Sequence, residues 1–347
     1  MAQRRIRVLV VDDSAFTRKV IRDLLIGSGQ VDVVGIARDG LEALEKVEEL
    51  KPDVVTLDLM MPVLDGVGFL RALPEKGAPR VIAVSSLDLT SDKAVEALAS
   101  GAVEIVHKPT ALATDRLYEL SDELVRAVLL HGAAALAPSA AWPAPSPAPP
   151  GSSRPRARRR CELVLIGTST GGPQALIRLL GALPADFPVP IGVVLHIPVG
   201  YTAAFAARLN ESCGLAVLEA EEGMELVPGR AVLARAGHHL KVVNRSGKLV
   251  SALDYAPTHR LHRPAVDELF LSGAAAVGAG VLGVVLTGMG SDGLEGAQAI
   301  AAAGGSLLGE AQQSCIVYGM SRCVIEAGIG AVPVLLDQMA EAIMNHV

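Results

Sequence analysis

Aromatic residues are scarce: Phe, Trp and Tyr make up 3% of the chain, with a single Trp, Trp142. Hydrophobic residues still reach 50%. The cores must therefore be built from Ala, Val, Leu and Ile, which suits strands alternating with helices. Cysteine is nearly missing as well. Cys161, Cys213, Cys315 and Cys323 form no C-x-x-C pair and read as reduced, mostly structural thiols of a cytoplasmic protein. No run is long and apolar enough to span a bilayer. The apolar stretch after Arg4, Arg5 and Arg7 ends at Asp12, too short for a signal peptide. There is no excess of positive charge: the net charge is −6, which gives no support for nucleic-acid binding. No G-x-x-x-x-G-K-[ST] occurs, so a P-loop is unsupported.

What is present is an alternation of short apolar runs and helical patterns, and 347 residues leave room for two domains. In the first part, strands are expected at Ile6–Val11, Val31–Ala37, Val54–Leu57, Val81–Val84 and Val103–Val106. Ser14 is placed to cap the first helix. Five βα units imply a doubly wound parallel sheet, in which ligands gather beyond the carboxyl ends of the strands. The polar residues at those ends are Asp12, Asp13, Asp58, Ser85 and Lys108. A lone Asp there is most simply a helix cap. Three carboxylates in one crevice repel one another unless a hard cation such as Mg²⁺ is shared. Lys108 adds a charge suited to a phosphoryl oxygen, and a carboxylate can accept a phosphoryl group.

Residues 131–160 hold seven of the 21 prolines and close on Arg154, Arg156, Arg158, Arg159 and Arg160. The segment reads as an extended, semi-rigid linker with a solvated basic end. Domains are therefore expected at 1–130 and 161–347.

The second domain opens on L-V-L-I-G-T-S-T-G-G, Leu163 to Gly172. A buried strand runs into a tight turn and then a helix with Pro173 at an early position. Gly167 to Gly171 fits G-x-S-x-G, a pattern compatible with a serine nucleophile, an anion-binding turn or a plain Gly/Ser/Thr turn. Two further apolar strands end alike, one at His196 and one before Asp292. Ser169, His196 and Asp292 together supply a nucleophile, a base and an orienting acid. Their order, Ser-His-Asp, differs from the Ser-Asp-His order of α/β-hydrolases. Gly278 to Gly283 fits G-x-G-x-x-G but precedes its strand, so a dinucleotide site fails its context. His238-His239 and His259 with His262 lack a ligand set at zinc spacing. A DNA-binding output domain is disfavoured by the absence of a basic recognition helix.

Two resemblances follow from these motifs. V-D-D (Val11 to Asp13), L-D-L-M-M-P-V-L-D-G (Leu57 to Gly66), V-S-S (Val84 to Ser86) and K-P (Lys108-Pro109) make the first domain resemble the receiver domain of two-component response regulators. The resemblance implies Asp58 as phosphoacceptor. It implies Mg²⁺ held by Asp13, Asp58 and the Met60 carbonyl, with Asp12 helping through water, and Ser85 and Lys108 sensing the phosphoryl group. Ile105 stands where many receivers carry an aromatic switch residue.

I-G-T-S-T-G-G (Ile166 to Gly172), H-I-P-V-G-Y-T (His196 to Thr202), H-R-P-A-V-D (His262 to Asp267) and L-T-G-M-G-S-D-G (Leu286 to Gly293) make the second domain similar to the catalytic domain of the chemotaxis protein-glutamate methylesterases. That implies a Ser169–His196–Asp292 triad with the backbone at Met289 as oxyanion donor and Thr170 nearby, and no cofactor for hydrolysis. It implies demethylation of glutamyl esters on the cytoplasmic domain of chemoreceptors with release of methanol, deamidation of receptor glutamines, and gating by phosphorylation from a chemotaxis histidine kinase. A cytoplasmic monomer without membrane insertion is expected. Thr168 stands where Ala is common, Ile197 where Met is common and Ser291 where Asn is common; none removes a triad atom.

Overall fold

The structure, a computed structural model, describes residues 4–74, 77–85, 91–108, 114–136 and 161–347. Ser86, Pro109, Trp142 and the linker's prolines and arginines lie outside the described residues.

The first α/β body is a five-stranded, all-parallel sheet. Its strands are β1 (Ile6–Val11), β2 (Val31–Ala37), β3 (Val54–Asp58), β4 (Arg80–Ser85) and β5 (Ala102–His107). The helices are α1 (Ala15–Gly27), α2 (Gly40–Leu50), α3 (Gly66–Ala72), α4 (Ser91–Ala99) and α5 (Thr114–Leu136). Helices on both faces leave the central strands no solvent, so β3 is buried at every position. Short polar side chains start the helices. Ser14, Asp39 and Asp65 accept from the third residue on, Thr17, Glu42 and Gly68, and satisfy donors that a helix N-terminus leaves unpaired. The expected boundary at residue 130 falls inside α5; His131 in this helix is fully buried and its Nε2 lies 2.7 Å from Glu104 Oε2 of β5.

The strand order is β2-β1-β3-β4-β5. The winding direction therefore reverses between β1 and β3, and the crevice for a ligand opens there. Asp12 and Asp13 follow β1, and Asp58 ends β3.

The second body is built on a seven-stranded sheet in the order β14-β13-β12-β6-β7-β9-β8, every pairing parallel. In chain order its elements are β6 (Leu163–Thr168), α6 (Gly172–Gly181), β7 (Ile191–Leu195), α7 (Thr202–Ser212), β8 (Ala216–Glu219), β9 (Arg230–Leu233), β10 (His239–Arg245), β11 (Lys248–Asp254), α8 (Val266–Val277), β12 (Val281–Val285), α9 (Leu294–Ala302), β13 (Ser306–Glu310), α10 (Met320–Glu326), β14 (Val332–Val334) and α11 (Leu336–Met344). Leu163, Leu165, Val194, Leu269, Phe270 and Val285 meet in its core. The reversal point here lies at β6, flanked by β7 on one side and β12 on the other. These are the three strands that lead to Ser169, His196 and Asp292.

An antiparallel hairpin, β10–β11, was not legible as a pair. Its two-residue turn, Ser246-Gly247, carries positive φ at both positions (54° and 87°), the twist a tight hairpin needs. Asn-Gly or Asp-Gly would have advertised it; Ser-Gly did not. The strand before Asp292 ends at Val285, although Leu286 N–H still reaches Gly167 O at 2.9 Å. Among the described residues no helix is long and apolar enough to cross a membrane.

Candidate functional site

Two sites emerge, one at each reversal point. In the first body, Asp12, Asp13 and Asp58 place a carboxylate oxygen each within 4.8 Å of the others, and among the described residues theirs is the one such cluster of potential metal ligands. Asp12 and Asp58 are buried and Asp13 is exposed. Lys108, just past β5, lies 2.6 Å from Asp58 Oδ2 and 2.9 Å from Asp12 Oδ2. Burial pushes the Asp58 carboxyl above its usual range, with the Asp12 charge adding and Lys108 opposing. Ser85 ends β4 and is fully buried. Met60 is half exposed, and its N–H donates to Asp58 Oδ1 at 3.1 Å. Gly66 shows why the loop requires glycine: a Cβ there would lie 2.5 Å from Asp58 O and 2.8 Å from Leu59 Cα. Three hard oxygen donors in a small cleft fit a magnesium ion, which prefers carboxylate and carbonyl oxygens. Sequence reasoning had named all of these residues.

In the second body, Thr168 pairs with Leu195, and His196 N–H donates to Thr168 O at 3.1 Å. Ser169 and His196 therefore leave neighbouring strands at the same level. Gly167 is glycine because a Cβ there would stand 2.2 Å from Val266 Cγ1, so the first residue of α8 packs directly on the strand end. His196 Nε2 lies 2.8 Å from Asp292 Oδ2, with both side chains nearly buried. Its Nδ1 is buried and makes no hydrogen bond. The structure thus joins His196 to Asp292 and does not bring Ser169 into hydrogen bond with the ring. Met289 sits in the turn after β12 with its side chain half exposed, and Thr170 in the half-buried turn after β6.

Asp292 does more than face the ring. Its Oδ2 also accepts Val266 N–H at 2.8 Å and its Oδ1 accepts Asp267 N–H at 3.0 Å. It therefore caps α8, whose own N-cap position, Ala265, has no side chain for the task. Burial alone would raise its pKa. The His196 ring and the two backbone donors more than offset that and hold the carboxyl at about 2.

Asp267 reciprocates. Its Oδ1 accepts Gly293 N–H at 3.0 Å and Gly296 N–H at 2.9 Å, capping α9. Arg260 lies 3.4 Å from its other oxygen. Each carboxylate thus closes the N-terminus of the other's helix. Sequence reasoning matched Asp267 to a motif without giving it a role. It also missed that His262 stacks on His196, with ring centroids 4.1 Å apart. His239, weighed as a metal ligand, is buried and ties Ala265 N–H (3.2 Å) to Pro257 O (3.2 Å).

Burial and the neighbouring Asp292 charge push Asp267 from its ordinary 3.8 up to about 6. Ionising it costs more in the folded than in the unfolded chain. Its stabilising contribution is thus complete below about pH 4 and lost as pH rises through about 6. The Asp267→Asn protein, whose amide oxygen still accepts both backbone donors, should gain on the parent by up to about 3 kcal/mol between those limits. Chemical denaturation at pH 4 and pH 7 measures the gap; an unchanged gap would contradict it.

Taken together, fold and site outline a signalling hydrolase: an acidic cluster with a lysine on one sheet, and a serine beside a histidine–aspartate pair on another sheet of the same chain. Residues 8–119 match the family described as response regulator receiver domain, and residues 164–343 match CheB methylesterase. The chain is 56% identical over 345 residues to protein-glutamate methylesterase/protein-glutamine glutaminase 5 of Myxococcus xanthus, covering 99% of this chain and 98% of that protein. It is 40% identical to the protein-glutamate methylesterase/protein-glutamine glutaminase of Thermotoga maritima, covering 94% of each. The crystal structure of the Thermotoga maritima CheB methylesterase catalytic domain superposes with a TM-score of 0.52 at 37% identity, spanning 54% of this chain and 99% of that one. The chain belongs to the CheB methylesterase family, with a response-regulator receiver domain at its N-terminal side.

Proposed function

We propose that this protein is a protein-glutamate methylesterase and protein-glutamine glutaminase of chemotaxis, switched by phosphorylation of its receiver. Residues 1–130 serve as the receiver, 131–160 as the linker and 161–347 as the catalytic domain. The observation that carries the catalytic reading is the His196 Nε2–Asp292 Oδ2 hydrogen bond of 2.8 Å, at the carboxyl end of the sheet where the Ser169 strand also ends.

In this reading Asp292 keeps the proton on Nε2, and Nδ1, buried without a hydrogen-bond partner, is the lone pair left to take the serine proton. Ser169 Oγ attacks the glutamyl ester carbonyl as Nδ1 takes its proton. The negative charge forming on the carbonyl oxygen is met by the backbone N–H at Met289, with Thr170 beside it. Collapse expels methanol, protonated by His196. Water, activated by the same ring, then releases the carboxylate and restores Ser169. A glutamine side chain follows the same course and yields ammonia. The imidazolium formed at each stage lies against Asp292, whose carboxyl stays ionised at every pH the cell meets.

In the receiver, Asp58 accepts the phosphoryl group from a chemotaxis histidine kinase, and Lys108 and Ser85 bind its new oxygens. Asp13, Asp58 and the Met60 carbonyl would hold Mg²⁺, with Asp12 helping through water, and the ion would supply positive charge against the phosphoryl oxygens. Phosphorylation raises esterase activity toward chemoreceptors in the cytoplasm.

Methanol release from methylated receptor membranes, with and without a small phosphodonor, tests both halves. Ser169→Ala should abolish release while the protein stays folded. Asp58→Asn should keep basal release and lose the response to phosphodonor. Full activity in the Ser169→Ala protein would sink the mechanism.

A further inference from the structure

The turn that carries Met289 is fastened by side chains that the reaction itself does not use. Leu286 N–H reaches Gly167 O by an ordinary backbone bond of 2.9 Å. One residue further on each strand, the tie between β6 and β12 is a side chain. Thr168 Oγ1 donates to Thr287 O at 2.8 Å across 119 residues of sequence. On the other side of β12, the ladder to β13 ends with Val285 opposite Gly309. Thr287 N–H takes the carboxylate of Glu310 instead, at 2.8 Å. Thr287 Oγ1 accepts Val317 N–H at 2.9 Å, and Gly288 N–H donates to Val317 O at 3.0 Å. Thr168, Thr287 and Glu310 are all buried, at 0%, 1% and 0% exposure.

A polar chain thus crosses three neighbouring strands in a place where water cannot compete. Packing alone would be served as well by valine at 168, so the hydroxyl has another use. Thr168 immediately precedes Ser169, and Thr287 lies two residues before Met289. We propose that the Thr168 hydroxyl, working through Thr287 and Glu310, is a positioning device that sets the Met289 backbone donor against the Ser169 nucleophile. It acts through other residues and does not touch substrate. The inference rests on the esterase reading above.

Displacement of oxyanion donors by fractions of an ångström affects the transition state more than substrate binding. In the full-length protein, Thr168→Val is expected to lower kcat for methanol release about tenfold with KM within about twofold. The affinity of a boronic acid, which forms a tetrahedral adduct on the serine, should fall in parallel. Thr168→Ser, which keeps the hydroxyl, should recover most of the loss. Thermal unfolding of each variant fixes the folded fraction, and Thr168→Ala replaces Thr168→Val if the latter does not fold. Thr168→Val with kcat within about twofold of the parent overturns the proposal, and so does a loss that Thr168→Ser fails to recover. Ser169→Ala assayed alongside separates the two readings: an inactive Ser169→Ala with a fully active Thr168→Val removes only the positioning device, whereas an active Ser169→Ala removes the esterase reading itself.

Discussion

Asp292→Asn should reduce kcat by about 10³- to 10⁴-fold, the loss typical when an orienting carboxylate becomes an amide. The geometry leaves an asparagine no good position. Asp292 receives three donors and gives none: His196 Nε2 and Val266 N–H on one oxygen, Asp267 N–H on the other. An asparagine that keeps its oxygen toward His196 and Val266 turns its NH₂ into the Asp267 N–H, donor against donor. The opposite flip sets NH₂ against both Val266 N–H and the ring. The ring then escapes by moving its proton to Nδ1, the nitrogen that receives the serine proton in the proposed mechanism. Either conflict also loosens the start of α8, so a modest fall in melting temperature is expected beside the loss of rate. Steady-state methanol release measures kcat and calorimetry the stability. A kcat within about tenfold of the parent would mean that Asp292 is only a helix cap.

The second large effect is expected at Gly319. Its φ of −119° suits any residue, so the requirement for glycine comes from contact. A Cβ would stand 2.6 Å from Gly288 O, 3.2 Å from Gly290 N and 3.2 Å from Met289 Cα. Those are backbone atoms, and Gly288 O is itself held by Gly319 N–H at 3.1 Å and Met320 N–H at 2.8 Å. The turn therefore shifts as a unit, taking the Met289 N–H with it. Gly319→Ala should lower kcat by about 10²-fold, the scale of one lost oxyanion donor, with KM little changed and Ser169 still present. Equal loss of kcat and of folded protein would instead assign Gly319 to stability alone.

Much of the architecture was legible from residue order. Apolar runs such as Val8-Leu9-Val10-Val11 and Leu163 to Ile166 need burial on both faces, which a helix-covered parallel sheet provides, and the helical patterns between them supply the cover. Capping residues such as Ser14 mark helix starts because their oxygens satisfy donors within three residues. The gathering of Asp12, Asp13, Asp58 and Lys108 was legible, since each lies at or just past a strand end and strand ends are visible as the close of an apolar run.

What escaped was every relation set by which strands are neighbours. Thr168 could be marked as unusual, but its partner Thr287 lies 119 residues away. Only the placing of β12 beside β6 brings them together. Asp267 read as a motif residue. Its exchange of caps with Asp292 depends on two helices starting side by side, which no local pattern encodes. His262 was one of several histidines until the chain folded it against His196. Hydrophobic period and capping are short-range and so are written along the chain. Ser169, His196 and Asp292 as chemical types were likewise determined by the sequence alone. Strand order decided which of them touch, and the nitrogen by which His196 meets Asp292 was fixed only by tertiary packing, because a ring's orientation depends on donors and acceptors brought in from distant strands.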